Sequence, residues 1–305
     1  MKAIFFGYNI LGGVGLEALL RHGFDVVAVV THEDDPNENI YFESVAEKAR
    51  SKGIKVFTPE NPNTPEFVET LKSLSPDIIF SFYYRLMIKR KIRDLVNGNA
   101  YNLHGSLLPK YRGRCPVNWA FVHGEKKMGV TLHKMVRKAD RGDIVDQRGF
   151  DVIDCDNAST VQPKMERSAI VLLNRALPLI LRDEQILTPQ NEEEATYFGG
   201  RRPDDGIVDW NSSAENIHNL VRAVTDPFPG AITHFGDHKL ILWTTSKVDL
   251  KVSNIRPGTV ISTEPFVIAT GDGGIEIIST QVNEFKIDGH LISSHLDIEA
   301  GSILG

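Results

Sequence analysis

Residues 3–30 read AIFFGYNILGGVGLEALLRHGFDVVAVV, and this stretch decides the fold. The apolar run Ala3–Phe6 predicts a buried strand, and the β-branched run Val26–Val30 predicts a second one. Between them, Leu16–Leu20 has helical character that stops at Gly23. A strand, a helix and a second buried strand in succession are typical of two parallel strands joined by a right-handed crossover.

The same alternation continues along the chain and predicts an α/β fold with a doubly wound, mostly parallel sheet. Further strands are expected at 54–57, 77–82, 129–136 and 144–152, and further helices at 44–52, 66–73 and 169–181.

The pattern changes after about residue 205, where one helix is followed by short β-rich segments. The helix is expected at 216–224 and is broken by the Pro-Phe-Pro-Gly segment 227–230. Strands are then expected near 231–235, 239–245, 258–262, 266–269 and 275–282. Five short strands favour a small OB-like barrel. We therefore expect a catalytic domain at 1–189, a polar linker at 190–204 and a β-rich domain at 205–305.

Composition excludes several classes of protein. The 305-residue chain is 41% apolar and 24% charged, and its formal net charge of -6 does not suit a general nucleic-acid binder. Its two cysteines, Cys115 and Cys155, exclude a disulfide scaffold and a cysteine-rich zinc site. It has no apolar run of the length that a membrane span needs, and its start reads as a strand cut by Gly7 instead of a signal peptide. We expect a cytoplasmic protein.

The glycine-rich segment 7–15 follows the first strand and reads as a turn that opens a helix. A dinucleotide-binding G-x-G-x-x-G pattern cannot be written through it, and the second strand lacks the acidic residue that would hold a ribose. Two readings stay open: a flexible turn, or a ligand pocket that uses the free amides of the helix N-terminus.

The segment 102–114, NLHGSLLPKYRGR, concentrates groups that can do chemistry in a loop rich in glycine and proline. Asn102 and His104 are two residues apart, so in an extended chain they point to the same face. The amide can stabilise a developing oxyanion, and the imidazole can move a proton near neutral pH. The alternative is a pair of strand-end residues without catalytic duty.

An acidic partner for the imidazole is expected in the loop after the strand 129–136. If the Asp140 carboxylate meets His104, it would raise the pKa of the imidazole and fix its tautomer. Asp140 could instead pair with Arg137 or Arg141 on the surface, and Asp143 is a rival for the catalytic role.

Taken together, these residues resemble the formyltransferase family that uses 10-formyltetrahydrofolate. The family hallmark is Asn-x-His followed by Ser-Leu-Leu-Pro-x-x-Arg-Gly and a later Asp, here residues 102–113 and Asp140. The resemblance covers essentially the whole chain and implies a Rossmann-like catalytic domain with Asn102, His104 and Asp140 as its catalytic residues. It also implies a folate site formed by Leu86, Met87, Ile88, Arg114, Val136, Arg137, Lys138, Ala139 and Asp140, with no metal.

Within the family, the segments 80–85, 197–206 and 221–230 resemble the branch that formylates UDP-4-amino-4-deoxy-L-arabinose in lipid A modification. The implied partner is a small nucleotide-sugar, with neither nucleic acid nor membrane insertion. Candidate sugar contacts are Tyr8, Gly12, Tyr84, Arg201 and Arg202, although the two arginines could also belong to a solvated linker.

Three other functions stay open at this point. They are formylation of methionyl-tRNA, formylation of another UDP- or dTDP-linked amino-hexose, and a folate or nucleotide sensor without activity. The branch that the chain resembles is bifunctional and continues into a decarboxylase domain, whereas this sequence stops at Gly305. The chain is therefore either free-standing or an excised domain, and a decarboxylase is a conceivable partner in the same pathway.

Overall fold

The computed structural model describes residues 1–34 and 40–305, which divide into two compact units. The first unit comprises 1–116, 127–151 and 162–198, and the second comprises 117–126, 152–161 and 199–305. Two short segments from the interior of the first domain expected from sequence thus group with the second unit. The expected linker 190–204 is divided between the units after Phe198.

The first unit is built on a seven-stranded mixed sheet. The strand order is β3-β2-β1-β4-β5-β7-β8, in which β1 to β5 run parallel and β7 runs antiparallel to both of its neighbours, β5 and β8. A separate parallel pair joins β6 to β9. The α/β fold class predicted from sequence is confirmed. The strands are β1 Lys2–Gly7, β2 Asp25–Val30, β3 Val56–Phe57, β4 Ile78–Phe82, β5 Ala100–His104, β6 Arg112–Gly113, β7 Lys127–Lys134, β8 Ile144–Asp151 and β9 Tyr197–Phe198.

Two helices of this unit begin at a side chain that caps them. The Ser44 hydroxyl accepts a hydrogen bond from the Glu47 N–H at 3.4 Å, and the Thr64 hydroxyl accepts one from Phe67 N–H at 3.3 Å. The longest helix carries an apolar stripe from Met165 to Ile180 that is buried. The helices of this unit are α1 Asn9–Arg21, α2 Val45–Ser51, α3 Pro65–Ser73, α4 Arg90–Arg93 and α6 Gln162–Leu181, whereas α5 Pro116–Val122 belongs to the second unit except for its first residue.

The glycine-rich segment 7–15 is not the turn expected from sequence, because α1 already begins at Asn9. A Cβ on Gly15 would lie 2.0 Å from Cδ2 of Phe82, and one on Gly12 would lie 3.0 Å from the carbonyl carbon of Gly7. These two glycines therefore let α1 approach the strands closely, and their role is helix–sheet packing.

The second unit is strand-rich, as expected. Its antiparallel sheet has the order β10-β11-β14-β13-β12, with β15 paired to β14. The Ser213 hydroxyl caps the main helix by accepting from the Asn216 N–H at 3.2 Å. No helix among the described residues is long and apolar enough to cross a membrane. The elements are α7 Ala214–Val224, β10 Ala231–Phe235, β11 His238–Val248, β12 Val260–Thr263, β13 Phe266–Ala269, β14 Gly274–Val282, β15 Phe285–Asp288 and α8 Ile292–Leu296.

Candidate active site

Asn102 and His104 lie on one face of β5, as their spacing predicted. The neighbouring strand β7 runs antiparallel, and the register places Asn102 opposite His133 and His104 opposite Thr131. The carboxyl end of β7 consequently lies beside the start of β5. The loop that follows β7 turns back and brings Asp140 Oδ1 to 3.7 Å from His104 Nδ1. The three predicted catalytic residues are thus assembled on one face of the sheet.

The tautomer of His104 is set by the backbone. Its Nε2 lies 2.8 Å from the carbonyl oxygen of Tyr111, which can only accept a hydrogen bond, so Nε2 carries the hydrogen. In the neutral imidazole the lone pair is then on Nδ1, the nitrogen that faces the Asp140 carboxylate. The expectation that Asp140 fixes the tautomer is therefore wrong. The carboxylate instead faces the nitrogen that can take up a proton.

Burial decides the pKa of His104. The side chain is 7% exposed, and desolvation lowers the pKa of the imidazole below its usual range. The negative charge of Asp140 and the hydrogen bond to Tyr111 act in the opposite direction without outweighing burial, and His133 adds to the lowering. The expectation of a raised pKa holds for the contribution of Asp140 alone. His104 is therefore a neutral base at physiological pH.

Asp140 is held in position by its own loop. Its backbone is left-handed, with a φ of 57°, and its Oδ2 accepts a 2.8 Å hydrogen bond from the Gly113 N–H. Burial would raise the pKa of this carboxyl, but the positive charge that His104 and His133 carry when protonated, together with the hydrogen bond from the Gly113 N–H, lowers it well below its usual range. Asp140 is accordingly an anion that faces the base.

The contacts of this loop bear on two of the alternatives that the sequence left open. Arg141 Nη1 lies 3.5 Å from Glu192 Oε2, so this arginine pairs with a different carboxylate. The backbone oxygen of Asp143 accepts from the Lys134 N–H at 2.9 Å, and it is Asp140 that faces the imidazole.

His133 is a fourth polar side chain in the site, and sequence reasoning missed it. It is 2% exposed, its Nε2 lies 3.1 Å from Asn102 Nδ2 and 3.6 Å from Asp140 Oδ1, and its Nδ1 lies 2.8 Å from the Lys134 carbonyl oxygen. The available signal was alternation along the predicted strand, which puts residues 131 and 133 on one face. The missing information was the cross-strand register.

The loop 105–111, which aims the Tyr111 carbonyl at His104, is braced by Thr131. The buried Thr131 hydroxyl donates to Ser106 O at 2.6 Å and accepts from the Leu108 N–H at 3.1 Å and from Gln147 Nε2 at 2.8 Å. All polar groups around this hydroxyl are therefore satisfied inside the protein. The brace fixes the course of the chain between the base and the carbonyl that orients it.

Arg112 links this loop to the polar segment after α6. Its guanidinium, 1% exposed, donates to Gln190 Oε1 at 2.7 and 3.1 Å and forms a bidentate pair with Glu192 at 2.8 and 3.0 Å. The amide nitrogen of Gln190 in turn donates hydrogen bonds to the carbonyl oxygens of Asp140 at 2.8 Å and Gly142 at 2.7 Å. The start of the expected linker is thus part of the support for the catalytic loop.

Apart from Arg114, which directly follows β6, the residues predicted for the folate fall into two loops of the first unit, after β4 and after β7. Three apolar side chains are unusually exposed, namely Leu86 at 37%, Met87 at 58% and Val136 at 43%. Ile88 is buried, at 4%. The remaining predicted contacts are Arg114, Arg137 and Lys138, which are exposed, and Ala139, which is half-buried.

Two of the predicted sugar contacts, Tyr8 and Tyr84, lie in an aromatic cluster at the carboxyl ends of β1, β2 and β4. The ring of His32 stacks on Tyr84 with 4.3 Å between centroids, and the Arg85 guanidinium lies 4.5 Å from the centroid of Tyr8. The hydroxyl of Tyr84 is buried without a hydrogen-bond partner among the described residues. Gly12, the third candidate in this unit, lies inside α1 and packs against β1.

Arg201 and Arg202, the other two predicted sugar contacts, belong to the second unit. The Arg201 guanidinium lies 4.8 Å from the ring centroid of Trp119 and donates to Asp205 O at 2.7 Å. The Arg202 N–H donates to Asp205 Oδ2 at 2.6 Å. Their assignment to a nucleotide-sugar stays a prediction. Across the described ranges, no group of three or more His, Cys, Asp or Glu side chains is placed to hold a metal ion.

Solved structures with a similar fold include three with informative descriptions. An N-formyltransferase from Helicobacter canadensis, in complex with folinic acid and dTDP-3-aminofucose, is 23% identical with a TM-score of 0.73, over 91% of this chain and 98% of its own. The sugar 3N-formyltransferase WlaRD, solved with dTDP and 5-N-formyl-THF, is 20% identical with a TM-score of 0.71, over 93% and 99%. HypX from Aquifex aeolicus, in complex with tetrahydrofolic acid, is 20% identical with a TM-score of 0.60, over 99% and 49%.

Family profiles match both parts of the chain. The profile described as formyl transferase covers residues 4–177, and the profile described as formyl transferase, C-terminal domain, covers residues 201–288. The first match includes Asn102, His104 and Asp140 with the sheet that carries them. The chain belongs to the formyl transferase family.

Proposed function

We propose that the protein transfers a formyl group from 10-formyltetrahydrofolate to the amine of a nucleotide-linked amino sugar. The observation that carries this proposal is the buried arrangement of Asn102, His104 and Asp140 on one face of the sheet. An amide donor, a neutral imidazole and a carboxylate that faces the imidazole are the groups that acyl transfer to an amine requires. A sensor would have no use for this set, which is complete in the chain.

In the proposed reaction the unprotonated amine attacks the formyl carbon, so that a C–N bond forms and negative charge develops on the formyl oxygen. An N–H of Asn102 donates to that oxygen, and losing one such donor typically costs about 10²–10³ in rate. Nδ1 of His104 takes the proton that the amine gives up and returns it to N10 of the folate as the C–N10 bond breaks. The imidazolium that forms between these steps faces the Asp140 carboxylate.

The donor assignment is supported by the apolar side chains of Leu86, Met87 and Val136. Exposed apolar groups in two loops of the same unit suit a planar heteroaromatic ring, because the ring would remove their surface from water. Three similar structures were solved with folinic acid, 5-N-formyl-THF and tetrahydrofolic acid, which are folates. Arg114, Arg137 and Lys138 add cations that suit the acidic tail of the donor.

The acceptor assignment is supported by the aromatic cluster of Tyr8, His32, Tyr84 and Arg85. It lies at the carboxyl ends of parallel strands, where ligands bind in open α/β sheets, and the exposed Arg85 supplies a guanidinium that suits a phosphate. Two similar sugar formyltransferases were solved with dTDP-3-aminofucose and with dTDP.

Among amino sugars we propose UDP-4-amino-4-deoxy-L-arabinose as the acceptor, because segments 80–85, 197–206 and 221–230 resemble the branch that uses it. The second candidate is a dTDP-linked amino-hexose, which the two dTDP-bound relatives favour.

A panel of acceptors tests the proposal. The protein is incubated with 10-formyltetrahydrofolate and, in parallel, with UDP-4-amino-4-deoxy-L-arabinose, dTDP-linked 3-amino and 4-amino hexoses, and charged initiator tRNA. Release of tetrahydrofolate and the mass of the formylated product are measured. Formylation of a nucleotide amino sugar, with no transfer to tRNA, is the expected result. Transfer to tRNA without transfer to any sugar would contradict the acceptor assignment.

The role of the imidazole is tested by His104→Ala, compared with His238→Ala as a matched control. His238 is exposed at the start of β11 in the second unit. We expect His104→Ala to abolish turnover while the circular dichroism spectrum stays that of the wild type, and His238→Ala to retain full activity. Substantial turnover by His104→Ala would remove this imidazole from the mechanism.

A further inference from the structure

His133 occupies a position between two members of the catalytic set, yet no step of the proposed reaction uses it. Its imidazole is 2% exposed, and Nε2 lies 3.1 Å from Asn102 Nδ2 and 3.6 Å from Asp140 Oδ1. Burying an imidazole is costly unless its polar atoms are paired. The arrangement of its partners shows what this residue can do.

The partners of His133 define its tautomer. Nδ1 lies 2.8 Å from the carbonyl oxygen of Lys134, which only accepts, so Nδ1 carries a hydrogen. Nε2 faces the amide nitrogen of Asn102, which only donates, so Nε2 presents its lone pair. The two contacts agree on one neutral tautomer, and the Asp140 Oδ1 at 3.6 Å is too far from Nε2 to take a hydrogen bond from it. An imidazolium would place an N–H on Nε2 against the N–H of Asn102 and would turn the amide.

Asn102 depends on this contact for its orientation. Within the described part of the chain, the side chain of Asn102 forms its hydrogen bond with His133. One N–H of the amide is directed to Nε2 of His133, and the planar amide group then fixes the direction of the second N–H. That second hydrogen is the one left for the formyl oxygen, so the donor is oriented before the substrate arrives.

We propose that His133 is a positioning residue that acts through Asn102, holding the side-chain amide in the orientation that stabilises the oxyanion. The strand register supports this assignment, because Asn102 and His133 are direct cross-strand partners on β5 and β7. The inference rests on the proposed function, because it takes Asn102 as the donor to the formyl oxygen.

A double-mutant cycle tests which residue His133 acts through. His133→Leu removes the acceptor while keeping an apolar side chain of similar bulk, and we expect it to lower kcat by about 10- to 100-fold, less than loss of the donor itself, with KM little changed. In an Asn102→Ala background His133→Leu should lower kcat by less than about twofold, whereas in an Asp140→Asn background the full factor should persist. Retention of the full factor on Asn102→Ala, or near-wild-type kcat for His133→Leu, would overturn the proposal.

A second variant and a spectroscopic measurement guard against a merely structural effect. His133→Gln can place its amide oxygen near the position of Nε2, and we expect it to restore most of the kcat that His133→Leu loses. His238→Gln, on the exposed start of β11, is the matched control and should be neutral. Failure of His133→Gln to recover any activity, although it folds, would count against the proposal.

The tautomer can be read in the wild-type protein without any acceptor, from ¹⁵N chemical shifts and long-range ¹H–¹⁵N correlations of labelled histidines. We expect His133 to carry its hydrogen on Nδ1 near neutral pH. An Nε2–H tautomer or an imidazolium would refute the proposal. The kinetic cycle is run with whichever nucleotide amino sugar the wild type turns over. A wrong acceptor therefore shows as inactive wild type and is distinguished from a wrong role for His133.

Discussion

Replacing Asp140 by Asn removes one charge from the site while leaving the shape of the side chain unchanged. In the wild type, Oδ1 lies 3.7 Å from Nδ1 of His104. At an effective dielectric of about 20, two unit charges at that separation attract by about 4 kcal/mol. This attraction exists only while His104 is protonated. Asp140→Asn therefore destabilises the imidazolium and leaves the energy of the neutral resting state unchanged.

The expected effect on turnover follows from that difference. Since about 1.36 kcal/mol corresponds to a factor of ten, Asp140→Asn should lower kcat by up to about 10³-fold. The hydrogen bond from the Gly113 N–H can be kept by the amide oxygen of Asn. The new amide N–H would then face the lone pair on Nδ1 of His104 and compete for the site that takes up the proton, which adds to the loss.

The assay is kcat against pH, with thermal denaturation as the check on folding. Activity requires the neutral imidazole, so kcat rises as the pH rises through the pKa of His104. The Asp140 charge raises that pKa, so in Asp140→Asn the rising limb should move to lower pH. Asp143→Asn, in the same loop, is the matched control and should leave kcat unchanged. A kcat within tenfold of wild type, or a limb that moves to higher pH, would refute this account of Asp140.

Three further predictions concern stability. Gly15→Ala should lower the free energy of unfolding by about 1–3 kcal/mol, because its Cβ would overlap Phe82. Gly13→Ala is the control and should be neutral or stabilising, because its Cβ would lie 3.6 Å from a flexible lysine amine. Equal effects of the two substitutions in urea denaturation would disprove the packing argument. Thr131→Val should cost roughly 2–4 kcal/mol, since it leaves the buried Ser106 carbonyl and Leu108 N–H unpaired, and a loss under 1 kcal/mol in the same assay would contradict this. Burial lowers the pKa of His218 to about 4, so the unfolded chain takes up a proton on this residue before the folded protein does. The free energy of unfolding should therefore fall by up to about 3 kcal/mol as the pH falls from about 6.5 to 4. His218→Gln should lose less stability over that range, and an acid-unfolding profile equal to that of the wild type would refute the lowered pKa of His218.

Much of the fold could be predicted from local pattern. An apolar run such as Val26–Val30, or a capped helix such as α2 or α3, can be recognised from a few consecutive residues, and the structure has a strand or helix at each of these places. The glycine-rich segment 7–15 was misread because glycine serves two purposes. A turn needs its conformational freedom, while Gly15 is needed for the absence of a side chain against Phe82, and only the packed structure distinguishes the two.

The catalytic residues divide in the same way. Asn102 and His104 were recognisable because both lie on one strand, where spacing alone sets the face. His133 was missed because its partnership with Asn102 depends on the register of two antiparallel strands, and a shift by one residue would send it to the other face. The role of the Tyr111 carbonyl could not be predicted from the sequence either, because every residue has a carbonyl and only the course of the loop shows where this one points.

The contact between His104 and the Tyr111 carbonyl has a consequence for how this protein can vary. A main-chain oxygen is present whatever amino acid occupies position 111, so no point substitution deletes it, and an alanine scan would report only the loss of the Tyr111 ring that stacks on Phe198. The orientation of the His104 imidazole is determined by the path of residues 105–111 and by the Thr131 hydroxyl, which holds that path through hydrogen bonds. Selection for catalysis should therefore act on residues that never touch a substrate, and redesign of the acceptor pocket must leave this loop untouched.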